Sequence, residues 1–287
     1  MKNLKVKILI LDSTGMAGHV ISQYMKDLNK YQIYEIVSDV SLYNHINYLD
    51  VYDRNLLYQK IKNINPDFII NCLRLLIEES EENQAKALYY NSYIPHYLSE
   101  IGKEIDSKVI QLSTDCVFSG KKGSYHENDF KDGETVYART KAFGELLNDR
   151  DLTIRTSFIG PNIYGRNEEL FHWFLKQKGE INGFSKAYWT GITTLELAKS
   201  IERLLSLNEC GIYHLVPDNK ISKYDLLTLI KSIWGKNDVI VKKQEKFIVD
   251  KSLIDNRNLI KVNNYYNMFK DLFFWMQNKK ELYNDYN

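Results

Sequence analysis

Short runs of apolar, β-branched residues alternate along this chain with longer segments whose apolar positions recur at helical spacing. Val6 to Leu11 reads as a buried strand, from its length and the Gly-containing turn after it. A helical pattern follows from Met16 to Leu28, and a second strand covers Ile33 to Val37. Leu56, Leu57, Ile61 and Ile64 repeat at helical spacing until Pro66-Asp67, and Phe68 to Cys72 is another buried strand. A long helix is predicted from Glu82 to Ile101, with a kink or irregular turn at Pro95. Lys108 to Ser113 is the next strand. A Gly- and Asp-rich loop from Ser119 to Glu134 leads to a helix starting at Val136, and Leu152 to Thr156 is one more strand.

This rhythm predicts an α/β fold: a doubly wound parallel sheet of the Rossmann type with a smaller C-terminal substrate lobe. Residues 1–160 form the expected dinucleotide-binding domain. Residues 161–287 form mainly the substrate lobe, with some segments returning to the sheet. That second half includes predicted helices at Leu170 to Lys176, Thr194 to Leu205 and Lys223 to Trp234, and a strand at Ile212 to Val216.

Composition changes this picture little. A net charge of +1 gives no long-range attraction to nucleic acid or an anionic membrane, so neither is expected as a partner. The three cysteines, Cys72, Cys116 and Cys210, leave one unpaired in any disulfide scheme, which fits a reducing cytoplasm. No apolar run reaches the length of about 18 residues that a membrane helix needs. The six histidines are dispersed without metal-ligand spacing, so no metal is expected. The Phe171 to Phe174 cluster reads as packing and Lys121-Lys122 as a solvated loop.

Candidate chemistry begins at Asp12-Ser13-Thr14-Gly15-Met16-Ala17-Gly18-His19, between the first strand and the first helix. A dinucleotide fold places its glycine-rich phosphate turn there, with the pyrophosphate at the helix N-terminus. Gly15 and Gly18 are present, but Asp12 stands at the first glycine position. A carboxylate there adds like-charge repulsion, and an ordinary strand-turn-helix with Asp12 as a cap is the competing reading. Asp39, after the second strand, is placed to take the adenosine ribose hydroxyls. With no Lys or Arg between Ile33 and Tyr43 to receive a 2′-phosphate, the pattern leans toward NAD over NADP.

Tyr137 and Lys141, four residues apart, share one face of a predicted helix. A neighbouring ammonium favours the phenolate, and lowers a phenol pKa of about 10 by about 1–3. Tyr58/Lys62 and Tyr266/Lys270 have the same spacing. The middle pair differs in following a strand that ends in Ser113-Thr114, at the sheet edge where open parallel sheets bind ligands.

At this point the chain resembles the extended short-chain dehydrogenases/reductases, in the dTDP-4-dehydrorhamnose reductase-like branch. The likeness rests on Ser13 to His19, Leu49-Asp50-Val51, Ile69 to Cys72, Asn91-Ser92, Ser113 to Gly120, Tyr137 to Lys141 and Arg155-Thr156-Ser157. It continues through Gly191 to Thr194 and Ile221 to Asp225. The resemblance implies NAD(P)-dependent reduction of the 4-keto group of a nucleoside-diphosphate deoxysugar, in surface polysaccharide precursor synthesis. It implies Thr114, Tyr137 and Lys141 as the catalytic set. Thr14, Gly15, Met16, Gly18, Asp39, Asp50, Val51, Cys72 and Lys141 would face the cofactor, and Cys116, Val117, Phe118, Ser157 and Phe158 the sugar nucleotide. A homodimer is left open.

Three departures from the family pattern stand out: Asp12, Arg74 where a small residue borders the cofactor, and Cys116 where the reductase has tyrosine. The first two suit an alternative reading, a non-catalytic nucleotide- or sugar-nucleotide-binding regulatory subunit. A sugar-nucleotide epimerase is a further alternative. A dehydratase would want Asp-Glu after the threonine, where this chain has Asp115-Cys116.

Overall fold

The computed structural model describes residues 5–42, 44–163 and 169–286. β1 (Lys7–Leu11) turns into α1 (Met16–Asp27), and β2 (Gln32–Ile36) returns beside β1. Asp53 caps α2 (Arg54–Ile64) by accepting from the Leu56 amide at 2.9 Å. β3 (Phe68–Asn71) then pairs with the other side of β1, and β4 (Lys108–Ser113) and β5 (Leu152–Arg155) extend the sheet.

β1 is apolar throughout because both its faces are covered. Ile8 and Ile10 point into one core and Leu9 and Leu11 into the other, as the two-residue strand period requires. Strand order reverses between β1 and β3, which opens a crevice beyond the C-terminal strand ends.

The long helix expected from Glu82 to Ile101 is instead a broken series. α3 (Ile77–Glu82) ends at Asn83, whose side chain accepts from the Lys86 amide and starts α4 (Gln84–Ala87). A π-helical stretch, Leu88–Tyr93, then precedes α5 (Ile94–Ile105), which has Pro95 in its first turn. Proline has no N–H for the helical ladder and its ring crowds the carbonyl four residues back, here that of Asn91. The widened π turn absorbs that conflict. It also aims Asn91 and Ser92 at α6 (Val136–Phe143), which Thr135 caps.

The second half starts with β6 (Phe158–Ile159) and α7 (Leu170–Lys176). β7 (Gly179–Trp189) and β8 (Ile192–Thr193) follow, then α8 (Thr194–Leu205) and β9 (Gly211–His214). β9 pairs with β5, so the six-stranded parallel sheet runs β2-β1-β3-β4-β5-β9, and α8 packs against α1. Both elements therefore belong to the nucleotide-fold core. β10 (Ile221–Ser222), α9 (Lys223–Trp234), β11 (Val239–Asp250) and α10 (Tyr265–Asn278) complete the chain's regular elements. β7 is the middle strand of a separate sheet, β10-β7-β11, which α9 covers.

One buried ion pair ties β4, β5 and β9 together. The Arg155 guanidinium donates to both Glu145 carboxylate oxygens, at 2.8 Å each. Ser113 and Lys131 also donate to Glu145, at 2.8 and 3.0 Å. Arg155 further contacts His214 Nε2 at 2.8 Å and lies 5.0 Å from the Phe118 ring centroid. These partners hold the Glu145 carboxyl below the usual carboxylate range, although burial pushes it the other way. Removing one partner of such a pair strands the other charge. Glu145→Ala is therefore expected to cost about 3–5 kcal/mol of unfolding free energy in urea titrations. A loss below about 1 kcal/mol would show that Arg155 finds other compensation.

Candidate active site

The catalytic candidates lie on elements whose positions are independently set. β4 delivers Thr114 to the crevice edge, where its hydroxyl accepts from the Cys116 amide at 3.1 Å. α6 carries Tyr137 and Lys141. The Asn91 side chain bridges this helix to the β3 exit loop: it accepts from the Leu75 amide at 2.9 Å and donates to Thr140 Oγ1 at 3.2 Å. The Ser92 hydroxyl donates to the Thr140 carbonyl at 2.7 Å. α6 stops at Gly144, where a Cβ would come within 1.9 Å of the Asn91 carbonyl oxygen, so only glycine allows this approach.

Thr114, Tyr137 and Lys141 line one cavity of about 160 Å³, together with Cys72, Arg74, Cys116, Ser157 and Phe158. Tyr58/Lys62 and Tyr266/Lys270 form local cation–π contacts away from it, at 5.6 and 5.8 Å. Burial pushes the Tyr137 phenol well above its usual range, and Cys116 adds to this. The Arg74 charge and a hydrogen bond with Thr114 pull it back. The expectation that Lys141 lowers this phenol is corrected: its ammonium is turned to the Leu112 carbonyl, at 2.7 Å. Burial, with Arg74 adding repulsion, pushes the Lys141 amine itself down to about 8. The Cys116 thiol is pushed up to about 11 by burial and by Asp115, which leaves it a poor nucleophile.

Two smaller cavities adjoin this one, and Arg74 lines all three. Asp12, Thr14, Gly15, Met16, Asp39, Asn162 and Glu169 surround one. Ser38, Asp39, Glu79, Lys86 and Tyr90 border the other. Asp39 also accepts from the Ser41 amide and hydroxyl, at 2.9 and 2.7 Å. Gly18 lines neither. A Cβ on it would lie 2.0 Å from the Asp12 carbonyl oxygen, so it serves the close packing of the turn on α1.

Four candidates lie elsewhere. Val117 and Phe118 are corrected as substrate contacts, because both are turned into a separate buried cluster with Tyr125, Val216 and Leu253. Phe118 stacks on Tyr125 there, with centroids 4.2 Å apart. Val51 is fully buried in the core, and exposed Asp50 accepts from the Tyr52 amide at 3.0 Å. Neither lines these three cavities.

The two departures in the turn region have definite placements. Asp12 has φ +59°, the left-handed region in which glycine is unstrained and aspartate is tolerated. Gly15, not Asp12, is the N-cap of α1, with no side-chain cap hydrogen bond, so the capping role considered for Asp12 is corrected. Arg74 forms an ion pair with Glu169 at 2.5 Å, and its guanidinium lies 5.1 Å from the Phe158 ring centroid. Glu169 also accepts from Asn162 at 2.9 Å, so residues after β6 reach across the groove.

The three cavities share Arg74, and Asp12 and Asp39 line both of the smaller ones; the N-cap of α1, Gly15, borders one of these, while Tyr137 and Lys141 border the largest of the three. The reading of the sequence did not reach Glu145, Glu169 or Asn91 as a bridge. A buried arginine in an apolar strand is itself a signal for a carboxylate partner such as Glu145. Nothing local marks Glu169.

Comparison with known proteins agrees with this architecture. The spore coat polysaccharide biosynthesis protein SpsK of Bacillus subtilis is 24% identical over 241 residues, 82% of each chain. A dTDP-4-dehydrorhamnose reductase of Aggregatibacter actinomycetemcomitans is 25% identical over 237 residues, 78% of each chain. The dTDP-4-dehydrorhamnose reductase of Bacillus anthracis, solved in complex with NADP, superposes with a TM-score of 0.82 at 19% identity. That superposition covers 95% of this chain and all of that one. Residues 6–247 match the RmlD substrate binding domain family, and the chain belongs to that family.

Proposed function

We propose that this protein reduces the 4-keto group of a nucleoside-diphosphate deoxysugar with a nicotinamide cofactor, in the supply of surface polysaccharide precursors. The observation that carries this reading is the meeting of Thr114, Tyr137 and Lys141 in one cavity at the C-terminal end of β4. When bound, the cofactor supplies the hydride. Thr114 orients the substrate carbonyl through its hydroxyl. Tyr137 donates the proton to the carbonyl oxygen as negative charge develops on it. Lys141 holds the nicotinamide ribose. Cys72, Ser157 and Phe158 border the reacting groups and exclude water.

Thr14, Gly15 and Met16 hold the pyrophosphate at the N-terminus of α1, and Asp39 takes the adenosine ribose hydroxyls. The Asp39 carboxylate supports NAD, because it would repel a 2′-phosphate. A second reading, a regulatory subunit that binds a nucleotide without turnover, draws support from the Arg74–Glu169 pair across the groove. Calorimetric titration with NADH and NADPH separates the two. Binding of either, followed by oxidation in the presence of a 4-keto sugar nucleotide, supports the reductase.

Tyr137→Phe is expected to lower kcat by about 10²–10⁴-fold while leaving cofactor affinity within twofold or so of the parent. Normal turnover would refute its role as proton donor. Asp12→Gly removes a like charge from the pyrophosphate turn and relieves the left-handed residue, so NADH should bind about fivefold tighter. Weaker binding would place Asp12 among the groups that hold the cofactor.

Lys141 makes a distinct prediction about stability. Its folded pKa, about 8, lies below its ordinary value of 10.5. Between those values the unfolded chain binds the proton that the native state has released, so stability rises with pH in that window. Relative to Lys141→Met, the parent should gain up to about 3 kcal/mol as pH rises from 8 to 10.5. Denaturant unfolding of both proteins across this range measures it, and parallel profiles would disprove the depressed amine.

A further inference from the structure

Side chains from two distant segments close over the start of α1. Arg74 comes from the loop between β3 and α3, and Asn162 and Glu169 come from the chain after β6. Together they line the cavity around Thr14, Gly15 and Met16. That cavity measures about 20 Å³, which is room for about one water and not for a phosphate group. A dinucleotide that lays its pyrophosphate on the N-terminus of α1 must displace what closes it, and the closing contact is the ion pair of Arg74 with Glu169.

The two partners are held unequally. Glu169 is the N-cap of α7, and its carbonyl accepts from the Trp173 amide at 2.9 Å. One of its carboxylate oxygens takes Arg74 at 2.5 Å, and the other takes the Asn162 side-chain amide at 2.9 Å. Asn162 is fixed in turn, since its main-chain N–H donates to the Tyr286 hydroxyl at 2.7 Å. Tyr286 stacks on Phe171 of α7, with ring centroids 5.8 Å apart. Glu169 is therefore anchored by its own helix and, through Asn162, by the C-terminal segment. The Arg74 guanidinium sits at the end of a long, flexible stem, between Glu169 and the face of Phe158. A guanidinium fork matches phosphate oxygens as well as it matches a carboxylate, so Arg74 can change partners and keep its charge paired.

We propose that Arg74 is a cofactor-binding residue held in reserve: its guanidinium leaves Glu169 for the cofactor pyrophosphate, and the Arg74–Glu169 pair is a latch that the dinucleotide opens. This rests on the reading that a nicotinamide dinucleotide binds here. Affinity then becomes a contest between two anions for one guanidinium. Glu169 opposes binding twice, by holding Arg74 and by placing a like charge beside the phosphates. Arg74 also borders the cavity of Tyr137 and Lys141, so the same movement changes the room beside them.

The test is calorimetric titration of the full chain with NADH and with ADP-ribose, which keeps the pyrophosphate and lacks the nicotinamide. Glu169→Gln removes the competing charge and keeps an oxygen for Asn162. It should bind both probes about fivefold more tightly than the parent. Adding Arg74→Gln to that variant should weaken both by about tenfold, because the pyrophosphate loses its partner. Unchanged affinity of Glu169→Gln, or no binding of either probe by it, would overturn the proposal. Equal affinity of Glu169→Gln and the double variant would also overturn it, since Arg74 would then only neutralise Glu169. Tighter binding of NADH by Arg74→Gln would do the same, by making the arginine an obstacle to the cofactor. Thermal melts establish folding. If Glu169→Gln does not fold, Arg74→Gln alone decides: weaker binding of both probes is expected, and unchanged or tighter binding overturns the latch. NADH that binds in this pattern but is not oxidised by a 4-keto sugar nucleotide would count against the reductase reading and leave the latch standing.

Discussion

The Arg155–Glu145 pair is the interaction on which the candidate-site edge of the sheet depends. A guanidinium inside an apolar strand is too costly to bury alone, so the fold must bring a carboxylate to it. Glu145 lies just beyond α6, and Arg155 ends β5. Their bidentate contact fixes the exit of α6 against the sheet. Ser113, the residue before Thr114, donates to the same carboxylate, so the threonine inherits its position from that pair. His214 of β9 completes the set by contacting the other side of the guanidinium. One charge pair thus links three adjacent strands and the helix that carries Tyr137.

The opposite side of α6 is held by a conflict in the backbone. Pro95 cannot sit in a regular helix without disturbing the turn before it, and the chain answers with π geometry from Leu88 to Tyr93. That irregularity turns Asn91 and Ser92 toward Thr140 and toward the loop after β3. Gly144 then lets the helix end closely approach the Asn91 carbonyl. Tyr137 and Lys141 are consequently held between a buried ion pair and a π turn, which suits groups that must act with fixed geometry.

The groove itself shows opposing demands. Gly15 and the N-terminus of α1 favour negative charge beside them, whereas the Asp12 carboxylate lies in the same turn. Arg74 meets the chain's charge balance by pairing with Glu169, and in doing so borders every part of the groove. Lys141 is turned to a main-chain carbonyl, and burial pushes Tyr137 toward its neutral form.

The sequence by itself determined the strands of the sheet and the placing of Tyr137 and Lys141 on one helix face. Buried parallel strands announce themselves as short apolar runs, and Tyr137 with Lys141 shares a helix face by spacing alone. Thr114 was legible because strand ends in this architecture face ligands. The direction of individual side chains was not legible. Val117 and Phe118 follow Thr114 directly, yet the 3-10 turn at Asp115–Val117 sends them into a buried cluster with Tyr125 and Leu253. The partner of Arg74 was also hidden, because Glu169 comes from a segment distant in the chain. Local propensity reports the backbone that a segment prefers. Which charges face one another depends on how the whole sheet and its second sheet close over the groove, and only the tertiary structure decided that.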